Sequence, residues 1–310
     1  MTATLKPLTC TAKPLAMENL FQNAAQVQFI ESILLTTLGH EADMQDFQFL
    51  YGGNFSLAAR VVTPEGVFFI KWNQGHPGMF ESEARSLNLL REAGALHIPI
   101  VLGFGQKAEG AYLIMEFVAQ GPQQPDYWPD FGQRLAALHR HSHPTHGLDF
   151  DNYIGALPQR NVPMTNGVDF FIQNRLNVQA GRALYEGKIS QSLYEQFQKL
   201  YEKLPGLLPN EAPALLHGDL WSGNVMIGAD GRVALVDPAA YYGLREAELA
   251  FTTMFGGFDN SFYASYYDAF PVENGFTERI PLYNLYPLLV HVNLFGGGYL
   301  TAVERILKRF

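Results

Sequence analysis

The stretch LLHGDLWSGNVMIGADGRVALVD, Leu215 to Asp237, decides how this chain folds. An apolar strand delivers His217-Gly218-Asp219, and Asn224 follows Asp219 at a five-residue offset. Val225–Ile227 and Val233–Val236 then flank Asp230-Gly231 and read as a hairpin, with Asp237 closing its second strand. The plain alternative is a polar turn in which Asp219 and Asn224 merely cap. A hydrolytic metal site is disfavoured, because His217 has no further His or Cys at ligand spacing.

The order H-x-D, then Asn, then Asp is that of a protein-kinase catalytic loop and its metal-binding carboxylate. Phosphoryl transfer needs one carboxylate to orient and deprotonate the acceptor hydroxyl, and oxygen ligands to hold magnesium against nucleotide phosphates. Asp219 suits the first task; Asn224 and Asp237 suit the second. Working outward, Phe80, Ala84, Leu87 and Leu90 form the apolar stripe of a helix from about Pro77 to Ala93, and Glu83 lies beside it. A carboxylate there is costly unless paired, and Lys71, ending the strand Val67–Ile70, is the natural partner; the alternative is two solvated charges. Gly52, Gly53 and Asn54, between two strands, could cover phosphates with backbone N–H groups. They match neither G-x-G-x-x-G nor a P-loop, so dinucleotide-binding and P-loop chemistry are disfavoured.

Strands are expected at Phe47–Tyr51, Leu57–Val62, Val67–Trp72, Ile98–Leu102 and Tyr112–Val118, preceded by a helix over Val27–Leu38. Gln120-Gly121-Pro122 marks a boundary, beyond which helical spacing dominates: Trp128–His139, Val168–Tyr185, Gln191–Leu204, Glu246–Phe255, Phe262–Phe270, Pro281–Leu294 and Ala302–Lys308. The expected fold is α+β and bilobal: a tail over 1–22, a small antiparallel-sheet N-lobe over 23–119 and a larger, mainly helical C-lobe over 120–310.

Composition agrees with a filled core: 47% of the 310 residues are apolar and 16% charged, against a usual ~25% charged. A net charge of −9 argues against nucleic acid or an anionic membrane as partner. The single cysteine, Cys10, allows no internal disulfide. No secretory signal and no membrane span is read, so a cytoplasmic location is expected. His139, His141, His143 and His146 crowd a helix end and read as a solvated terminus. Residues 241–310 hold sixteen aromatics, most of them expected in the core.

The chain resembles the fructosamine (ketosamine) kinase family, which shares the protein-kinase-like fold with aminoglycoside phosphotransferases. The resemblance is carried by HGDLWSGN from His217, DPAAYYGLREAELA from Asp237, MFGGF from Met254 and HVNLFGGGY from His291. DNYIGALPQRN from Asp151, FFIQNRL from Phe170 and FESEARSL from Phe80 add to it. GGNFSLA departs from the family's usual GG-x-I-N, the family's tryptophan before the Phe pair is missing, and Glu248 replaces a common Asp. The resemblance implies ATP- and Mg2+-dependent phosphorylation of a ketosamine's 3-hydroxyl, on a small-molecule or protein-bound substrate, with ribulosamines and erythrulosamines favoured over fructosamines. It implies that Lys71 and Glu83 hold ATP phosphates, that the backbone of Glu116 to Val118 meets adenine, and that Trp221, His291 and Asn293 line the acceptor site. An aminoglycoside or choline kinase and a non-catalytic nucleotide-binding module are the rival readings.

Overall fold

The computed structural model describes residues 19–50, 56–76 and 78–310. Gly52, Gly53 and Asn54 lie outside the described residues, as do positions 1–18 of the expected tail. The first helix begins ahead of its expected start, as α1 (Asn19–Leu38). Three strands follow, β1 (Asp46–Leu50), β2 (Leu57–Thr63) and β3 (Gly66–Asn73), then α2 (Met79–Glu92), β4 (Val101–Lys107) and β5 (Gly110–Glu116). They form one antiparallel sheet of order β1-β2-β3-β5-β4.

Side-chain alternation along the strands decides what each face of this sheet meets. Ile70 and Trp72 of β3, with Tyr112 and Ile114 of β5, pack under Phe29, Ile30, Ile33 and Leu34 of α1. The opposite face presents Leu113 and Met115 to the stripe Phe80, Ala84, Leu87 and Leu90 of α2. Lys71 is on that second face, directed at the cleft. The fourth strand runs over Val101–Lys107, not the expected Ile98–Leu102. Gly103 and Gly105 sit in the strand where neighbours come too close for a side chain: a Cβ on Gly103 would lie 2.7 Å from Thr37 Cγ2.

The connection from β5 runs along a hairpin of the second lobe, with Gly121 N–H donating to Gly228 O at 3.1 Å and Gln124 N–H to Gly231 O at 3.1 Å. Beyond it come α3 (Tyr127–His139), a hairpin of β6 (Asn152–Ile154) and β7 (Leu157–Gln159), and α4 (Gly167–Phe170). A π-helical turn, Phe171–Leu176, leads into α5 (Asn177–Tyr185) and α6 (Gln191–Leu207). The expected continuous helix over Val168–Tyr185 is thus interrupted where Arg175 turns fully inward, stacked 3.8 Å over the Tyr241 ring and bonded to Asn161 Oδ1 at 2.7 Å. The chain then forms β8 (Ala214–Leu216), β9 (Val225–Ile227), β10 (Val233–Leu235) and β11 (Tyr241–Gly243). Helices α7 (Arg245–Thr252), α8 (Asn260–Ala269), α9 (Phe276–Phe295) and α10 (Leu300–Arg309) complete it.

The histidine group divides. His141 and His143 are exposed. His139 and His146 are buried instead of solvated. For His139 the reason is that α3 packs its last turn against α8: Nδ1 meets the Tyr266 hydroxyl at 2.7 Å and Nε2 meets Glu248 at 2.9 Å.

Candidate active site

Two short pairings bring distant residues together. Strand β8 pairs with β11 and delivers His217, while β9 pairs with β10 and delivers Asp237. The two strand ends are bonded to each other: Val236 N–H donates to Asn224 O at 3.1 Å, and Ala239 N–H to His217 O at 3.0 Å. Gly218 is required at this crossing. Its φ is +83°, and a Cβ would lie 2.0 Å from Ala239 O.

A cavity of about 730 Å³ opens between the lobes. Lys71 and Glu83 enter it from the sheet and α2, Glu116 and Val118 from the inter-lobe connection, and Asp219, Trp221, Asn224 and Asp237 from below. The Lys71 ammonium lies 2.5 Å from Glu83 Oε1 and 2.7 Å from Asp237 Oδ1. Burial alone would lower Lys71, yet Asp237 and Glu83 together hold it above its ordinary value. Burial pushes Glu83 up to about 7, against the pull of Lys71 and with help from the Asp237 charge. Burial would also raise Asp237, but Lys71 holds it below the usual carboxylate range. One ammonium serves two carboxylates, and the one on the second lobe keeps its charge.

Asp219 lines the floor of this cavity. Burial in the cleft pushes it up to about 7, opposed by the bond from Asn224 and assisted by the Asp237 and Glu248 charges. Asn224 Nδ2 donates to Asp219 Oδ2 and to Asp219 O, both at 2.9 Å. That engages the amide nitrogen, and the planar amide then directs Asn224 Oδ1 to the opposite side. Asp237 has φ +54°, the one non-glycine residue among those described with positive φ, a conformation that is uncommon and clusters at functional sites. Among the described residues no three His, Cys, Asp or Glu side chains converge on one point. An amide and a carboxylate lining this cavity match magnesium, which takes one or two protein oxygens and completes its shell with water and phosphate.

The three residues expected to line an acceptor site separate. Trp221, 38% exposed, stands at the cavity mouth against Phe255, ring centroids 5.7 Å apart. His291 packs behind Phe255 at 5.1 Å and bonds to Pro287 O at 2.7 Å, and burial lowers its pKa. Asn293 lies away from the cavity, its Nδ2 on Gln179 O and Oε1 at 3.0 and 2.8 Å, tying α9 to α5. Sequence reasoning missed the role of Glu248. Its Oε1 accepts from Gly218 N–H at 2.6 Å and its Oε2 from His217 N–H at 3.1 Å, fixing the turn that carries Asp219. The available signal was a carboxylate flanked by the apolar residues Ala247, Leu249 and Ala250.

The family model for fructosamine kinase matches residues 26–310. This chain belongs to the fructosamine kinase family. A protein of Synechocystis assigned as a probable ketoamine kinase is 36% identical over 284 residues, covering 91% of this chain and 96% of its own. The chloroplastic protein-ribulosamine 3-kinase of indica rice is 35% identical over 265 residues, covering 84% and 77%. A solved structure assigned as a fructosamine-3-kinase, from Thermobifida fusca, superposes with a TM-score of 0.81 at 31% identity, covering 91% and 99%. An aminoglycoside phosphotransferase superposes at 0.63 with 16% identity over 91% and 98%, which shows the shared bilobal fold alone. Among the described residues, no helix is long and apolar enough to cross a membrane.

Proposed function

We propose that this member of the fructosamine kinase family phosphorylates the 3-hydroxyl of a ketosamine, at the cavity just described. The observation that carries the reading is the convergence of Asp219, Asn224, Asp237 and Lys71 on that cavity, from opposite lobes. Magnesium and ATP, when bound, supply the phosphoryl group and neutralise the charge that develops on it. Lys71, oriented by Glu83, holds phosphate oxygens, and the backbone of Glu116 to Val118 faces the base. Asn224 and Asp237 offer oxygens to the metal. Asp219 accepts the proton of the attacking hydroxyl, its pKa of about 7 suiting a base near neutral pH. Trp221 offers a flat aromatic face beside Asp219 on which a sugar can stack.

Ribulosamines are the favoured acceptors, in line with the name of the rice relative, while the Synechocystis relative is named only for ketoamines. Residues 243–310 hold seven acids against five Lys and Arg, too balanced to mark a site for polycations. A 3-phosphate can leave by elimination, after which hydrolysis frees the amine, so the reaction would reverse glycation. Incubation with magnesium, ATP and ribulosyl-lysine should give a transient sugar-phosphate signal in phosphorus NMR, then inorganic phosphate and free lysine. Kanamycin and choline should give no turnover above background. Turnover of either, with none on ribulosyl or fructosyl amines, rejects this substrate class.

A further inference from the structure

The hairpin Asn152–Gln159 reaches from the helical lobe to the cavity, and two of its side chains are amides sealed from solvent. Asn152 and Gln159 face each other across the two strands and are 2% and 1% exposed. Asn152 Nδ2 donates to Ala240 O at 2.8 Å and, on its other side, to Ser86 Oγ at 3.5 Å. Gln159 Nε2 donates to Ala239 O at 2.9 Å and to Asn152 Oδ1 at 2.8 Å. The Tyr286 hydroxyl donates to Gln159 Oε1 at 2.5 Å, which fixes how that amide is turned.

These partners are specific. Ala239 and Ala240 are the residues that follow Asp237-Pro238, and Ser86 stands one turn beyond Glu83 on α2. Ala239 also donates its N–H to His217 O, so the residue is held through both its N–H and its carbonyl. Asp237 keeps a left-handed backbone at φ +54°, and such a conformation persists only where its surroundings over-determine it. Upstream, Val236 N–H is fixed on Asn224 O. Downstream, the two amides hold the Ala239 and Ala240 carbonyls, alongside the Ala239 N–H bond to His217 O.

We propose that Asn152 and Gln159 are positioning residues: together they pin the peptides after Asp237 and join them to the Glu83 helix, setting the carboxylate where it meets a metal ion. The proposal rests on the assignment of Asp237 as a magnesium ligand. Outer-shell partners of metal ligands commonly control metal affinity by about 10–100-fold. Buried amides with a purely scaffolding role would lower stability and leave metal affinity alone.

Calorimetric titration of the full chain with ADP, in EDTA and across a magnesium series, separates these cases without reading activity. Gln159→Leu should require about tenfold more Mg2+ to reach its tighter ADP binding, with metal-free ADP affinity within about twofold of wild type. Tyr286→Phe, which only releases the amide's orientation, should shift the magnesium midpoint the same way by a few-fold, and it decides the matter if Gln159→Leu does not fold. An unchanged midpoint in the folded variants, or equal losses with and without magnesium, overturns the proposal. Asp237→Asn is the control: it should abolish the magnesium-dependent gain. Its retention there would overturn the metal assignment, and this inference with it, whereas its loss beside unchanged Gln159→Leu and Tyr286→Phe midpoints overturns the inference alone.

Discussion

Lys71 and Asp237 meet at 2.7 Å across 166 positions of sequence, and this contact closes the cleft floor to its roof. Lys71 pairs with Glu83 as well, at 2.5 Å, so removing either carboxylate redirects the ammonium to the other. Lys71→Met should lower kcat/KM for ATP by about 10²–10³, the usual cost of losing one preorganised charged donor. Glu83→Gln should cost less, because Asp237 still holds Lys71. The double variant should lose less than the product of the single losses, since the two act through one interaction. Steady-state kinetics on the four proteins tests this, and strictly multiplicative losses would separate the two residues.

Asp219 gives a prediction in pH. Its folded pKa, about 7, lies above the ordinary 3.8, so the folded protein binds the proton more tightly than the unfolded chain does. The stability it contributes is complete below pH ~4 and is lost as pH rises through about 7. Asp219→Asn cannot ionise and escapes that loss. Its melting temperature should match wild type near pH ~4 and exceed it by roughly 6–9 °C at pH ~8, taking about 1.4 kcal/mol per pKa unit and about 2 °C per kcal/mol at this size. In the same variant kcat should fall by about 10²–10⁴ with ADP affinity little changed. In wild type, kcat/KM should rise with pH through about 7, as the base loses its proton. A variant that is less stable at the alkaline end, or one that turns over normally, would remove Asp219 from this role.

The pairing of Lys71 with Glu83 was legible because a carboxylate flanking an apolar stripe demands a cation, and one stood at the end of the preceding strand. The Asp219-Asn224-Asp237 series was legible because its spacing is local and its hairpin is marked by Asp230-Gly231. The fourth strand was not: Gly103 and Gly105 weaken any β pattern, and at Gly103 the reason it is tolerated is a neighbour on another element. His139 and Glu248 lie 109 positions apart, so neither sequence neighbourhood discloses that both are buried together. Asn293 illustrates the converse. It sits in a family-like motif beside His291, yet the helical face it occupies turns it to Gln179 and away from the cleft.

Glu248 holds the loop from behind. Burial would raise its pKa, but His139, His217 and the Gly218 N–H keep it low, and the carboxylate stays charged. Glu248→Gln keeps the shape and places an amide where one of two backbone N–H groups needs an acceptor. kcat should fall by about 10–100-fold with KM nearly constant, as for other residues that orient a reacting group. Leaving buried polar groups around this carboxylate unpaired costs about 1–3 kcal/mol each, so the melting temperature should drop by several degrees. His139→Gln should reproduce most of the stability loss and little of the kcat loss, because it leaves both backbone bonds in place. Equal kcat losses in the two variants would show that Glu248 acts through overall stability alone.

Two glycines separate local strain from helix propensity. Gly218 has φ +83°, and an added Cβ would lie 2.0 Å from Ala239 O, itself held by Gln159. The contact is with pinned backbone, so relief must come from moving the 217–219 turn. Left-handed backbone at a residue with a Cβ costs a further ~1–2 kcal/mol. Moving Asp219 by about 1 Å is worth about a hundredfold in rate, and Gly218→Ala should lose at least that in kcat. Gly181 lies mid-helix in α5, with open space to 4 Å around the point a methyl group would occupy and no positive φ. There the entropy of the unfolded chain decides, and Gly181→Ala should stabilise by about 0.8–1 kcal/mol with kcat unchanged. Urea unfolding and initial rates on both variants test the pair. A Gly218→Ala protein with near-normal kcat would mean the turn has slack that the close approach to Ala239 does not allow.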